Sequence, residues 1–261
     1  MVFNLEDQIA LVDTLSREPD TYNQYQKIDI IPQQPRRTIP DLGPLPRYSS
    51  IIGVCEDGLP LLFDLSNPTV GCILIYGGVQ TTKNQLLKSI LHSASLLNTP
   101  REVNYYVVSP DPGRFAELVD YDHCSGVFSS YERSARELII ELATIAEQRK
   151  SGRHTGAVII LAIDDLYTFL KNREFEVDIH LKWLLKHGPN NGVWCIGTLQ
   201  PEYLSKLNSD HLSSFKTRLI ANSYPLALNS GNKQSYPGIQ SDTFTAQIGD
   251  QSIHFWIPEF D

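Results

Sequence analysis

Cys72-Ile73-Leu74-Ile75-Tyr76-Gly77-Gly78-Val79-Gln80-Thr81-Thr82-Lys83-Asn84 is the stretch on which the rest of the chain turns. Five apolar residues without a polar break predict a strand covered on both faces. Two glycines follow, and Leu87, Ile90, Leu91, Ala94 and Leu97 then recur at helical spacing. A strand that turns through glycine into a helix aims the first backbone N–H groups of that helix at one place. A lysine in the first turn adds positive charge there, which is the build of a phosphate-binding loop of pattern G-x-x-x-x-G-K-[ST]. Gly77 and Lys83 match that pattern. Thr82 stands for its second glycine and Asn84 for its magnesium-binding hydroxyl. A plain glycine turn before a helix fits the same residues.

Downstream, Val103 to Val108 reads as a strand. A long helix capped by Ser129 or Ser130 follows, with Leu138, Ile139, Leu142 and Ile145 inward, ending near Lys150. Ala157 to Ile163 is a third buried strand. Val177, Leu181, Leu184 and Leu185 mark another helix, closed by Gly188 and Pro189. Val193 to Thr198 and Arg218 to Ala221 supply two further strands. Strands alternating with helices predict a parallel sheet with helices on both faces. Hairpin signals flank this core at Glu56-Asp57-Gly58 and Gly249-Asp250. Before it come a short amphipathic helix, Leu5 to Leu15, and a proline-studded arm, Asp20 to Pro46. We therefore divide the chain into residues 1–50, helix and arm, and a domain over residues 51–261.

Val158-Ile159-Ile160-Leu161-Ala162-Ile163-Asp164-Asp165 is an apolar strand ending in two carboxylates, at the edge where ligands of α/β sheets collect. In phosphate-loop enzymes the first acid of such a pair orients magnesium and the second polarises the attacking water. Either aspartate also suits a cap on a following helix.

At 261 residues with a 41% hydrophobic fraction, the chain has the length and apolar content to bury a sizeable core. A formal charge of −8 argues against a protein that coats nucleic acid, since phosphate affinity rests on Lys and Arg. It leaves open a ring motor that touches DNA through a pore loop. Cys55, Cys72, Cys124 and Cys195 form no CxxC pair, so buried thiols in a reducing, cytoplasmic setting are expected. No run of eighteen apolar residues predicts a membrane span, and the opening residues show no signal peptide. The histidines lack metal-ligand spacing, Trp183 and Trp194 read as core, and Arg149, Lys150 and Arg153 read as the solvated end of a helix.

Taken in order, these pieces resemble the FtsK/SpoIIIE/HerA group and the ATPase domains of the type VII secretion ATPase EccC. Ile52-Gly53-Val54 to Phe63-Asp64-Leu65 is similar to the strand pair preceding the family's phosphate loop. Tyr105 to Pro110 is similar to its second core strand, with Ser109 and Asp111 in place of the Asp and Lys of Asp-Pro-Lys. Glu147-Gln148-Arg149 resembles the family's Glu-Met-x-Arg-Arg helix end. Leu184 to Gly188, Gly192 to Gly197 and Thr198-Leu199-Gln200-Pro201 resemble its Gly-Arg…Gly-Ile…Ala-Thr-Gln-Arg-Pro stretch. Ser214 to Leu219 resembles Asn-Phe-Pro-Thr-Arg-Ile, so Arg218 takes the place of that arginine.

The resemblance implies a RecA-like P-loop NTPase fold of α/β class, with ATP and magnesium as cofactors. Gly77, Gly78, Thr81, Thr82, Lys83 and Asn84 would hold nucleotide. Asn84 and Asp164 would hold magnesium, and Asp164, Asp165 and Arg218 would carry catalysis. It also implies self-association or a related ATPase subunit as partner, with DNA or protein as the cargo of the assembly. The departures fall on the chemistry: Thr82, Asn84, a shortened second acid at Asp165, Pro189 for an arginine, and a shifted Thr-Gln-Arg-Pro. Loss of a single charge-stabilising donor costs roughly 10²–10³ in rate, so ATP turnover is expected to be slow or lost. The expected function is a pseudo-ATPase or weak nucleotide binder within a translocase or secretion assembly. The alternatives are an active DNA or protein translocase and a nucleotide-free interaction module.

Overall fold

Each continuous apolar run divides, residue by residue, between two faces of one sheet. Ile73 and Ile75 enter one core layer, while Cys72 and Leu74 enter the other. Ile160 and Ala162 likewise oppose Ile159, Leu161 and Ile163. This is why the runs show no polar alternation: a parallel strand under helices on both sides has no solvent face. A computed structural model describes residues 45–55, 57–171, 175–221 and 243–258. The expected helix Leu5 to Leu15, and the arm apart from its last two residues, lie outside the described residues.

Among these residues the strands are β1 (Ser49–Cys55), β2 (Pro60–Asp64), β3 (Cys72–Gly77), β4 (Val103–Ser109), β5 (Cys124–Ser129), β6 (Val158–Ile163), β7 (Val193–Leu199), β8 (Phe215–Ala221), β9 (Thr243–Ile248) and β10 (Gln251–Trp256). The helices are α1 (Gln80–Leu97), α2 (Arg133–Lys150), α3 (Leu166–Lys171), α4 (Phe175–His187) and α5 (Ser209–Ser214). The sheet order is β2-β1-β10-β9-β8-β3-β7-β6-β4-β5. From β8 to β5 every pairing is parallel, and from β8 back to β2 every pairing is antiparallel. Helix α1 packs into one core layer, and α2, α3 and α4 into the other. This is the mostly parallel α/β architecture, with flanking hairpins, that the sequence predicts.

The antiparallel half curls over α1. Phe63 of β2 meets Trp194 of β7 edge to face, centroids 5.0 Å apart, although six places separate those strands in the sheet. The Ser50 hydroxyl donates to the Ile90 carbonyl at 2.6 Å, and the Ile51 N–H donates to Ser93 Oγ at 2.7 Å. Small hydroxyl side chains, Ser50 on β1 and Ser93 on α1, thus let β1 run along the helix with these polar groups satisfied.

Four local expectations change. Strand β5 was not foreseen, because its Cys-Ser-Gly-Val-Phe-Ser sequence lies at the sheet edge and is only half buried. Short helix α3, directly after Asp165, was not foreseen either. Helix α2 starts at Arg133 without a side-chain cap from Ser129 or Ser130. The Ser130 N–H is still bonded to the Ser109 carbonyl, so the chain there continues the β4–β5 pairing. Gly188 ends α4 in right-handed conformation, and the left-handed residue is Gly192.

Arg149 is not the solvated helix end that its neighbourhood suggests. Its guanidinium donates to the Gly192 carbonyl at 2.9 Å, the Asn191 carbonyl at 3.3 Å and the Ala157 carbonyl at 2.6 Å. It therefore ties the end of α2 to the start of β6 and β7. Hydrogen bonds from a charged group each contribute about 1.5–3 kcal/mol, so Arg149→Ala is expected to lower unfolding stability by about 2–3 kcal/mol. Arg149→Lys should recover only part of this in chemical denaturation, because an ammonium cannot fork across separate carbonyls.

Candidate functional site

The C-terminal ends of the parallel strands bring four chain segments together: the β3–α1 turn, the end of β4, the end of β6 and the end of β7. The turn is short. Gly77 has φ +84° and Gly78 φ +52°, Val79 is extended, and helical backbone begins at Gln80. A Cβ on Gly77 would lie 2.7 Å from the Ala221 carbonyl oxygen, and one on Gly78 2.8 Å from the Ala221 Cβ. Both glycines are therefore required by the end of β8 as well as by their left-handed backbone. Thr82 belongs to the first turn of α1, where it is buried. The α1 N-terminus has no side-chain cap and no acidic residue in its first turn, which leaves its N–H groups open to an anion.

Asp164 is the centre of the polar site, with 1% of its surface exposed. Its Oδ1 accepts from the Gln80 amide at 2.6 Å and from the Thr198 hydroxyl at 2.9 Å. Its Oδ2 accepts from the Ser109 hydroxyl at 2.9 Å and from the Asn84 amide at 3.4 Å. With its amide turned over, Asn84 still donates to Asp164, to Oδ1 at 2.9 Å. Burial pushes the Asp164 carboxyl above its ordinary range, against the pull of the Ser109 and Thr198 hydrogen bonds, and nearby Asp165 pushes the same way.

Lys83 is fully buried, and its ammonium donates to the Gly77 carbonyl at 3.0 Å, the Gly78 carbonyl at 3.5 Å and Gln200 Oε1 at 3.3 Å. Burial pulls its pKa down, and Glu202, Asp164 and Asp165 partly offset this. Gln200 also donates from Nε2 to Gln80 Oε1 at 2.7 Å. An unbroken polar chain thus runs Lys83, Gln200, Gln80, Asp164.

The structure brings Gly77, Gly78, Lys83, Asn84 and Asp164 together. Thr81 is exposed at the rim and Thr82 is buried in the first turn. Asp165 has φ +54°, and both of its oxygens are taken by Thr168: the N–H at 3.2 Å and the hydroxyl at 2.6 Å. Its side chain caps α3, the alternative left open by the sequence. Arg218 pairs with Leu74, three residues before the Ala221 that faces Gly77, and its guanidinium has no hydrogen-bond or ion-pair partner among the described residues. The structure therefore does not bring Arg218 to the turn. Gln80, Ser109, Thr198 and Gln200 were not singled out as site residues. Ser109, Thr198 and Gln200 do lie in stretches that carry the family resemblance, and all four residues stand at the carboxyl end of a parallel strand or just beyond it.

The donor set fits a phosphate better than a magnesium ion. An uncapped helix N-terminus and a lysine suit an anion. A hard cation needs free oxygen ligands, and here the carboxylate is already met by four side-chain donors. No group of three or more metal-ligating side chains occurs among the described residues.

The cap predicts how Asp165 responds to substitution. Asp165→Ala should lower stability by about 1–2 kcal/mol, through the lost cap and a left-handed backbone without Asp. Asp165→Asn, which keeps both, should denature close to wild type.

No family model matches the chain. It is 31% identical over 125 residues to the ESX-3 secretion system protein EccC3 of Mycobacterium tuberculosis, covering 42% of this chain and 9% of that protein. The chain therefore spans less than a tenth of that relative's length. The solved Thermomonospora curvata EccC (ATPases 2 and 3), in complex with a signal sequence peptide, superposes with a TM-score of 0.63 at 17% identity, over 82% of this chain and 41% of that one. The pCW3 conjugation coupling protein TcpA with ATPγS gives 0.63 at 17% identity, over 83% of this chain and 67% of that one. The chain has the RecA-like P-loop ATPase fold, and its sequence likeness is to EccC, a protein with ATPase domains of the FtsK/SpoIIIE type.

Proposed function

We propose that this chain is a non-hydrolysing ATPase-fold subunit acting within a translocase or secretion assembly, with a phosphate-binding turn that still takes nucleotide weakly. The observation that carries the reading is Asp165. Hydrolysis needs a carboxylate aimed at the attacking water, and the Asp165 carboxylate is instead turned back on Thr168, accepting at both oxygens in a helix cap. The buried Asp164 and the internally bonded Lys83 add to it, since each must leave existing partners to serve a substrate. The likeness to EccC3, a secretion system protein, supports a place in such an assembly. No helix among the described residues is long and apolar enough to cross a membrane.

An active ATP-driven translocase is the rival reading, favoured by the retained lysine and the uncapped α1 N-terminus. Steady-state phosphate release separates the two. We expect turnover at background with ATP and magnesium, unchanged by Asp165→Asn. Turnover well above background that Lys83→Ala abolishes would overturn the proposal in favour of the translocase.

A further inference from the structure

Gln80 has no counterpart in the phosphate-loop pattern, yet it reaches furthest across the site. Its side chain leaves the first residue of α1, crosses to the end of β6 and is held at both ends. The carbonyl end accepts from Gln200 Nε2 at 2.7 Å. The nitrogen end donates to Asp164 Oδ1 at 2.6 Å and lies 3.3 Å from Thr198 Oγ1. Chemistry fixes which end is which, because an ionised carboxylate only accepts and the amide group facing it must be the NH₂.

The four donors on Asp164 matter together. Gln80 and Thr198 donate to Oδ1 and Ser109 to Oδ2, while Asn84 donates to Oδ2 at 3.4 Å or, with its amide turned over, to Oδ1 at 2.9 Å, so four side chains meet the carboxylate in either case. Magnesium requires a near-octahedral set of oxygens at about 2.0–2.1 Å and gives up its waters reluctantly. Gln80 presents nitrogen, not oxygen, to the carboxylate at the position an ion would take. Asn84, where the pattern has a hydroxyl, binds the same carboxylate. An ion on Asp164 would have to displace Gln80 or Asn84 from it, and moving Gln80 would break its bond to Gln200.

We propose that the Gln80 amide stands in for the metal: the site binds the phosphates of a nucleotide without magnesium. The ligand is the metal-free polyanion, held by Lys83 and the α1 N-terminus, while Gln80 keeps Asp164 covered. This rests on the reading above that the turn still takes nucleotide. It goes further in saying which ionic form is bound and which residue decides it.

Calorimetric titration of the full chain with ATP, once with EDTA and once with excess magnesium, tests it directly. Wild type should bind in EDTA, at least as tightly as with magnesium, because the complexed nucleotide presents less negative charge to the lysine and the helix end. Gln80→Ala combined with Asn84→Thr should reverse the order, making magnesium tighten binding by about tenfold, or about 1.4 kcal/mol. In the same variant, manganese should give a bound-ion resonance in the presence of ATP that wild type lacks. Wild-type binding tightened tenfold or more by magnesium overturns the proposal. So does an absence of ATP binding in EDTA, even if the variant fails to fold. Binding that is equal in both buffers, accompanied by ATP turnover, would remove the non-hydrolysing reading and keep this one.

Discussion

A carboxylate taken almost wholly out of water has to be met by donors, and much of the architecture around the β-sheet edge follows from how Asp164 is met. The four donors come from three parts of the chain: Gln80 and Asn84 from α1, Ser109 from the end of β4, Thr198 from the end of β7. Leaving such a group unpaired costs several kcal/mol, so these segments are held in mutual register by the requirement. Thr198 extends the pattern, because its hydroxyl also accepts from the Asp165 N–H at 2.9 Å. That bond helps set the left-handed backbone from which Asp165 turns back to cap α3. One buried charge therefore positions the turn, the lysine and the second acid. It does so by hydrogen bonds from neutral side chains, where a metal-dependent site would rely on an ion.

The parts of the fold read correctly from the sequence share one cause. β3, β4, β6 and β7 carry apolar residues toward both layers, so burial writes itself into the sequence as unbroken runs. β5 lacks that signature because it has a neighbour on one side only and packs mainly through Val127 and Phe128. The α2 start was misread because Ser129 and Ser130 look like caps in isolation. Their backbone is already committed to β4, a partner twenty residues upstream that local reading does not see. The hairpins were legible because glycine-containing turns between apolar runs act locally.

The candidate site divides along the same line. Gly77, Lys83 and Asp164 were legible because a motif fixes them within a few residues of each other or at the end of a recognisable strand. Gln80 carries no local signal, since a glutamine at a helix start ordinarily faces solvent. Its meaning depends on Asp164 and Gln200, far along the chain, and only the sheet order places them beside it. Arg149 failed in the opposite direction. Its charged neighbours Lys150 and Arg153 suggested a surface cluster, whereas its own donors are spent on backbone carbonyls.

The pairing of β1 with β10 joins Val54 to Trp256 and Cys55 to Phe255, near the two ends of the described chain. During synthesis the hairpin of β1 and β2 emerges early and has no seat in the sheet. The parallel block from β3 to β8 can assemble behind it, because each of those strands finds its neighbour within the residues already made. Only when β9 and β10 leave the ribosome does the hairpin gain its edge in the sheet, whereas its bonds to α1 need nothing beyond residue 93. Contacts of such long sequence separation slow folding. A chain cut short before Phe255 would leave Val54 and Cys55 of β1 without their partners, a hairpin seated on the helix that carries Lys83 and Gln80 but cut off from the sheet.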